Sequence, residues 1–141
     1  MKKGVFVIAE AGVNHNGDIE IAKKLIDAAC YSGADAVKFQ TWITDDIVTK
    51  DSSMAEYQKN NLNSEISQYE MLKKLELDYS DFRELKLYSD EKGMIFLSTA
   101  DEEKSASFLN ELQDIFKIGS GEITNEPLLR HIARFNKDIF L

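Results

Sequence analysis

Ala36-Val37-Lys38-Phe39-Gln40-Thr41 has the apolar density of a buried strand, yet it carries a lysine and an amide two positions apart. In a strand that spacing puts Lys38 and Gln40 on one face. A charge inside an apolar run costs free energy unless it is paired. Two other runs share the pattern: Val5-Phe6-Val7-Ile8-Ala9-Glu10, and Phe116-Lys117-Ile118-Gly119-Ser120-Gly121-Glu122. Catalytic groups of parallel α/β proteins gather at the carboxyl ends of strands. Three such endings in one chain point to an active site for an anionic substrate.

On either side of this stretch, strand and helix patterns alternate. Residues 5–10 read as a strand. Residues 19–31 show helical periodicity, with Ile19, Ala22, Leu25, Ile26 and Ala29 on one face. Asp18 is the expected N-cap and Gly33 the stop. After the strand at 36–41, a long polar stretch runs from 43 to 65, the kind of loop that tends to be functional or mobile. A short helical patch at 68–75 precedes a helix starting near Asp81, with Ser80 as N-cap, that stops at Gly93. The periodicity then predicts a strand over 94–98, a helix over 102–112 and a strand over 115–119. Asn125 and Pro127 open a further helix reaching about residue 135, because proline is tolerated in a first turn. Residues 138–141 read as the start of a fifth strand.

Strand–helix alternation implies a parallel sheet with right-handed crossovers. An open doubly wound sheet and a (β/α)8 barrel both satisfy it. The first loop, Ala11-Gly12-Val13-Asn14-His15-Asn16-Gly17, lacks the Gly-x-Gly-x-x-Gly of a dinucleotide fold. A full barrel needs about 250 residues, and the 141 here are close to half of one.

Composition bounds the function. With 43% hydrophobic and 30% charged residues, the chain fits a soluble globular domain. A net charge of -8 argues against a general nucleic-acid binder, which needs a basic face. It leaves room for a small anionic ligand, since local lysines make a positive pocket in an acidic protein. Cys30 is the single cysteine, so no intrachain disulfide forms; its place on the helix 19–31 predicts a buried structural thiol. No apolar run approaches the roughly 18 residues of a membrane span. The start, Met1-Lys2-Lys3-Gly4, lacks a signal-peptide pattern, and a reducing cytoplasm is the expected setting.

Individual side chains suggest chemistry with differing force. Lys38 and Gln40 suit an anion ligand beside a hydroxyl- or amide-reading group; a lysine snorkelling at a strand end fits the same spacing. Lys117 precedes Gly119-Ser120-Gly121-Glu122, where glycines let backbone N–H groups approach an anion and Ser120 can donate. An ordinary tight turn fits too. Ser98-Thr99 can supply a hydroxyl donor, although an N-cap role is expected from the pair alone. Glu10 and Glu122 are strand-end carboxylates able to position water, move protons or bind sugar hydroxyls. His15 lies in a loop at the expected mouth, and His131 reads as a packing or surface residue. Two histidines this far apart make no metal site. Asp45-Asp46 reads as a solvated charge pair.

These segments together resemble the sialic acid synthase family, which condenses phosphoenolpyruvate with an N-acyl amino sugar. The matching pieces are Ile8-Ala9-Glu10-Ala11-Gly12-Val13-Asn14-His15-Asn16-Gly17, then Ala36-Val37-Lys38-Phe39-Gln40-Thr41. Glu56-Tyr57-Gln58 and Ser67-Gln68-Tyr69-Glu70-Met71-Leu72-Lys73-Lys74-Leu75 follow. Ser98-Thr99 and Lys117-Ile118-Gly119-Ser120-Gly121-Glu122-Ile123-Thr124-Asn125 complete the set. The resemblance implies a (β/α)8 TIM barrel, of which residues 1–141 make the first half: four strand–helix units and the start of a fifth strand. The second half and a small antifreeze-like domain fall outside it.

By that resemblance, Lys38, Thr99, Lys117 and Ser120 hold the phosphate and carboxylate of phosphoenolpyruvate. Glu10 positions or deprotonates the attacking water. Gln40 contacts the bound ligands, and Glu122 binds the amino sugar near its aldehyde. Manganese, or another divalent metal, polarises that aldehyde in the complete enzyme; its two histidine ligands belong to the second half, so no metal ligands are expected here. The acceptor is N-acetylmannosamine or a related bacterial diamino-deoxy sugar. Another aldolase-like barrel using phosphoenolpyruvate, or a truncated non-catalytic fragment, remains the alternative. Half a barrel leaves strand edges open near 5–10 and 138–141, which predicts a homodimer or poor folding. Where many relatives have Pro-Phe after Ser-Thr, this chain has Ala100-Asp101, and Asp101 is expected to cap the following helix.

Overall fold

The computed structural model describes residues 4–50 and 67–141. Five strands alternate with helices: β1 (Ile8–Gly12), α1 (Ile19–Tyr31), β2 (Ala36–Thr41), α2 (Thr44–Ile47), α3 (Gln68–Leu75), α4 (Tyr79–Glu91), β3 (Ile95–Ala100), α5 (Glu103–Leu109), β4 (Ile115–Lys117), α6 (Glu126–Ala133) and β5 (Asp138–Phe140). A 3-10 turn, Ser120–Glu122, follows β4. All strand pairs are parallel, but they form two sheets, β1-β2-β3 and β4-β5.

Gln113 lies where the two sheets meet. Its side-chain carbonyl accepts from the Ser98 N–H at 2.7 Å, and its amide donates to the Ser98 C=O at 3.0 Å. A buried side chain thus satisfies the β3 edge, which has no ladder to β4.

The alternation along β2 and β3 sorts the faces. Val37, Phe39 and Phe96 join Ile26 and Ala22 of α1 and Phe82 and Leu85 of α4 in one apolar core. Fully burying each large side chain of that kind contributes about 1.5–3 kcal/mol. Lys38, Gln40 and Thr99 take the opposite face and open onto a cleft. Helix α1 begins where expected: the Asp18 carboxylate accepts from the N–H groups of Glu20 and Ile21 at 2.8 and 3.1 Å. It stops at Gly33, whose φ of 76° is costly for a residue with a Cβ.

Several expectations need correction. The first strand starts at Ile8 rather than residue 5 and runs on to Gly12; Val5, Phe6 and Val7 precede it, exposed. Cys30 is exposed, with its sulfur 3.9 Å from the Lys92 carbonyl. It lies one residue beyond buried Ala29, and that rotation along the helix turns it off the core face. Helix α4 starts two residues early, because Asp78 and Asp81 form a reciprocal capping box and displace Ser80 from the cap. β3 extends to Ala100, so Ser98 and Thr99 are strand residues rather than caps. Helix α5 ends at Leu109 and is capped by Glu102, whose carboxylate accepts from the N–H groups of Lys104 and Ser105. Helix α6 ends at Ala133, and β4 at Lys117. The polar stretch after β2 contains α2; its later part, and the Glu56-Tyr57-Gln58 motif, lie outside the described residues.

Candidate active site

The ends of β1, β2, β3 and β4 surround a cleft of about 810 Å³. Glu10, Lys38, Gln40, Thr99, Lys117, Ser120 and Glu122 all line it, so the structure brings together every side chain singled out as a site residue. Register explains the meeting. Glu10 stands opposite Lys38 across β1 and β2, and Gln40 opposite Thr99 across β2 and β3.

Lys38 is the centre of the cleft floor. Its side chain is 10% exposed. Its ammonium lies 2.8 Å from a Glu10 carboxylate oxygen and donates to the Thr99 hydroxyl at 3.2 Å. The Glu10 carboxylate is itself 57% exposed, so the pair has one dry and one wet partner. Both of its partners, Glu10 and Thr99, line the same cleft.

The Lys117 ammonium donates to the Ile118 carbonyl beside it. Gly119 then carries the chain past Thr99, where an added Cβ would meet the threonine methyl at 3.6 Å. That is ordinary contact, so space alone does not demand the glycine. The Ser120–Glu122 turn follows, closed by the Glu122 N–H to the Gly119 carbonyl at 3.0 Å. Asn125 caps α6 through its carbonyl and donates its amide to Glu122 at 2.5 Å, which aims that carboxylate along the cleft wall.

Other groups were not anticipated. Asp46 and Ile47 of α2, with Gln68 and Leu72 of α3, close one side of the cleft. Asp45 and Asp46 are individually engaged: Asp45 accepts from the Tyr69 hydroxyl at 2.8 Å and Asp46 from Lys104 at 2.7 Å. Asp101 also lines the cleft instead of capping α5. Burial, then the neighbouring Glu122 carboxylate, pushes its pKa up to about 7, against an opposing pull from Lys38. The signal was present in the two-residue period Thr99, Asp101, which continues the inward face of β3 past its end.

His15 is not a cleft residue. It is 1% exposed, its Nδ1 accepts from the Gly17 N–H at 3.1 Å, and burial lowers its pKa, so the ring is neutral. It packs near Phe39. His131, on α6, lies beside Ser107 and packs edge-on with Phe135, which follows the helix. Among the described residues, no three His, Cys, Asp or Glu side chains converge on a metal position, and no helix is long and apolar enough to cross a membrane.

A model of the NeuB family matches residues 25–141. The chain belongs to the NeuB family. Among curated relatives, it is 54% identical over 129 residues to N,N'-diacetyllegionaminic acid synthase of Legionella pneumophila, covering 91% of this chain and 36% of the relative. It is 49% identical over 142 residues to the enzyme of the same name from Campylobacter jejuni, covering all of this chain and 42% of the relative. It is 34% identical over 131 residues to human N-acetylneuraminate-9-phosphate synthase, covering 92% of this chain and 36% of the relative. The chain therefore spans 36–42% of the length of these curated relatives.

Solved structures agree on architecture. The sialic acid synthetase of Leptospira borgpetersenii, in complex with citrate, superimposes with a TM-score of 0.79 at 30% identity, over 97% of this chain and 44% of that one. A truncated 3-deoxy-D-arabino-heptulosonate 7-phosphate synthase from Thermotoga maritima superimposes at 0.63 and 17% identity, over 97% of this chain and 39% of that one, a likeness of fold alone. The parallel α/β order of this NeuB chain is thus that of the synthase barrels.

Proposed function

We propose that this chain supplies the phosphoenolpyruvate half of a nonulosonate synthase site, in a protein that condenses phosphoenolpyruvate with an N-acyl amino sugar. The observation that carries the reading is the inward-facing Lys38 ammonium on the floor of a cleft it shares with Lys117, Thr99 and Ser120. Two cations and two hydroxyls on adjacent strand ends suit a ligand with one phosphate and one carboxylate. Lys38 and Thr99 take one anionic group, and Lys117 with Ser120 the other.

Glu10 has the water-directing role. An incoming anion shares the Lys38 ammonium, and the exposed Glu10 carboxylate is then freed to accept a proton from water. The enol carbon of phosphoenolpyruvate bonds to the open-chain aldehyde carbon of the sugar. Water adds to the carbon bearing the phosphate ester; one of its protons passes by way of Glu10 to the former aldehyde oxygen, which becomes a hydroxyl, and the tetrahedral carbon then collapses to a ketone, expelling inorganic phosphate by carbon–oxygen cleavage with the second proton. Glu122, held by Asn125, and Gln40 contact the sugar. Among the described residues no three His, Cys, Asp or Glu side chains converge on a metal position; the manganese implied by the family resemblance would be held by residues of the barrel's other half and would polarise the sugar aldehyde.

For the acceptor we favour a diacetamido sugar over N-acetylmannosamine. The two relatives named as N,N'-diacetyllegionaminic acid synthases are 54% and 49% identical to this chain, whereas the human N-acetylneuraminate-9-phosphate synthase is 34% identical. The test is product analysis with these residues on a complete barrel, given phosphoenolpyruvate, manganese and each sugar in turn. Sugar-dependent phosphate release, fastest with the diacetamido acceptor, supports the reading. Silence with every acceptor contradicts it.

A further inference from the structure

We propose that Asp101 is the proton-bearing group of this cleft: it takes up a proton as phosphoenolpyruvate binds and hydrogen-bonds the ligand as a neutral carboxylic acid. The inference rests on the phosphoenolpyruvate reading of the cleft and adds to it a residue that the family motifs do not include.

The geometry begins with β3. Thr99 faces the cleft, and the Asp101 N–H donates to the Thr41 carbonyl at 3.1 Å, which carries the β2 pairing one residue beyond the strand. Asp101 therefore falls on the same inward face as Thr99. The cap position it would otherwise fill is taken by Glu102.

The cleft is crowded with acid. Six carboxyl groups line it against two lysines, Lys38 and Lys117. Five of the six have a fixed task or partner. Glu10 pairs with Lys38 and Asp46 with Lys104. Glu102 caps α5, Glu103 lies 3.8 Å from His131, and Glu122 accepts from Asn125. Asp101 alone has no ion pair or side-chain hydrogen bond among the described residues.

The groups that act on Asp101 are Glu122 from the 3-10 turn, Lys38 from β2 and Glu102 beside it on its own segment. Two of these three are negative, and Lys38 is committed to Glu10 and Thr99. Near neutral pH Asp101 is thus divided between its two forms. A ligand carrying a carboxylate and a phosphate ester of charge about -1.5 to -2 decides the balance. It repels the ionised form and accepts a hydrogen bond from the neutral one. Binding and protonation are then linked, and each favours the other.

The experiment is calorimetric titration of phosphoenolpyruvate into the chain and into its Asp101→Asn variant, between about pH 6 and about pH 8.5. Asparagine keeps the shape and a donor but cannot ionise. The phosphate ester titrates near pH 6, and taking the ratio of the two dissociation constants removes that contribution. The ratio of wild type to variant should stay near its low-pH value and then climb about tenfold per pH unit above 7. Wild type should also take up close to one proton per ligand at the alkaline end, read from buffers of different ionisation enthalpy. A ratio independent of pH overturns the assignment to Asp101 while leaving phosphoenolpyruvate binding intact. No binding by either protein at any pH overturns the substrate reading and this inference with it. Carboxyl-carbon NMR of the unliganded wild type needs no variant: a resonance for Asp101 that titrates near 4 instead of near 7 overturns the proposal on its own.

Discussion

Lys38 and Asp101 are opposite solutions to the same problem, an ionisable group on the inward face of a sheet. Lys38 is paired, its ammonium 2.8 Å from the Glu10 carboxylate. Asp101 is not paired, and burial raises its pKa to about 7 from the ordinary 3.8. Because the folded state then binds the proton more tightly than the unfolded chain, stability is greatest below about pH 4 with respect to this group. That contribution is lost as pH rises toward 7. At about 1.4 kcal/mol per pKa unit, the upper bound on the loss is about 4 kcal/mol. Asp101→Asn should therefore leave stability near pH 4 little changed and raise it at pH 8, measured by urea denaturation at both. Equal stability of the two proteins at pH 8 would contradict the strained carboxylate. The lysines, Gln40 and Glu10 were legible in the sequence because a polar residue interrupts an apolar strand pattern. Asp101 is not read as a cleft residue, because an acid just before a helix reads as a cap and that reading outweighs the Thr99–Asp101 period; the cap is Glu102.

At the scale of the element, Gln113 has the same relation to β3 that a neighbouring strand would have. Replacing Gln113 with Ala removes both partners of the buried Ser98 peptide groups. Each orphaned group costs about 1–3 kcal/mol, so thermal unfolding should show a loss of roughly 2–6 kcal/mol. A loss no larger than that of a surface substitution would mean that water replaces the amide. Helix α1 was readable because its periodicity, Asp18 cap and Gly33 stop agree. Helix α2 was not: it is four residues long and Ile43 at its N-cap gives no side-chain bond, so nothing local marks it. The early boundary of β1 failed for another reason. Val5, Phe6 and Val7 have strand composition, but ladder pairing to β2 begins only at Ile8.

Over the whole molecule, the cleft exists because two small parallel sheets present their carboxyl ends together. The same arrangement leaves apolar surface open. Phe6 and Phe140 lie 6.2 Å apart between ring centres, and Ile139 and Leu141 beside them are exposed. Among the described residues the outer edges of β1 and β5 have no strand partner, and edges beside such a patch favour association. Light scattering should accordingly find the isolated chain larger than its 16.0 kDa monomer. A monodisperse monomer at high concentration would show that these edges are protected.

The central claim is that the cleft floor binds phosphoenolpyruvate through Lys38, and a phosphoenolpyruvate titration of the chain against its Lys38→Met variant tests it most directly. Losing a charge-assisted hydrogen bond should cost about 1.5–3 kcal/mol, a weakening of roughly 10- to 150-fold at 1.4 kcal/mol per decade, with the far-ultraviolet circular dichroism unchanged. Equal affinity in the two proteins would contradict the account.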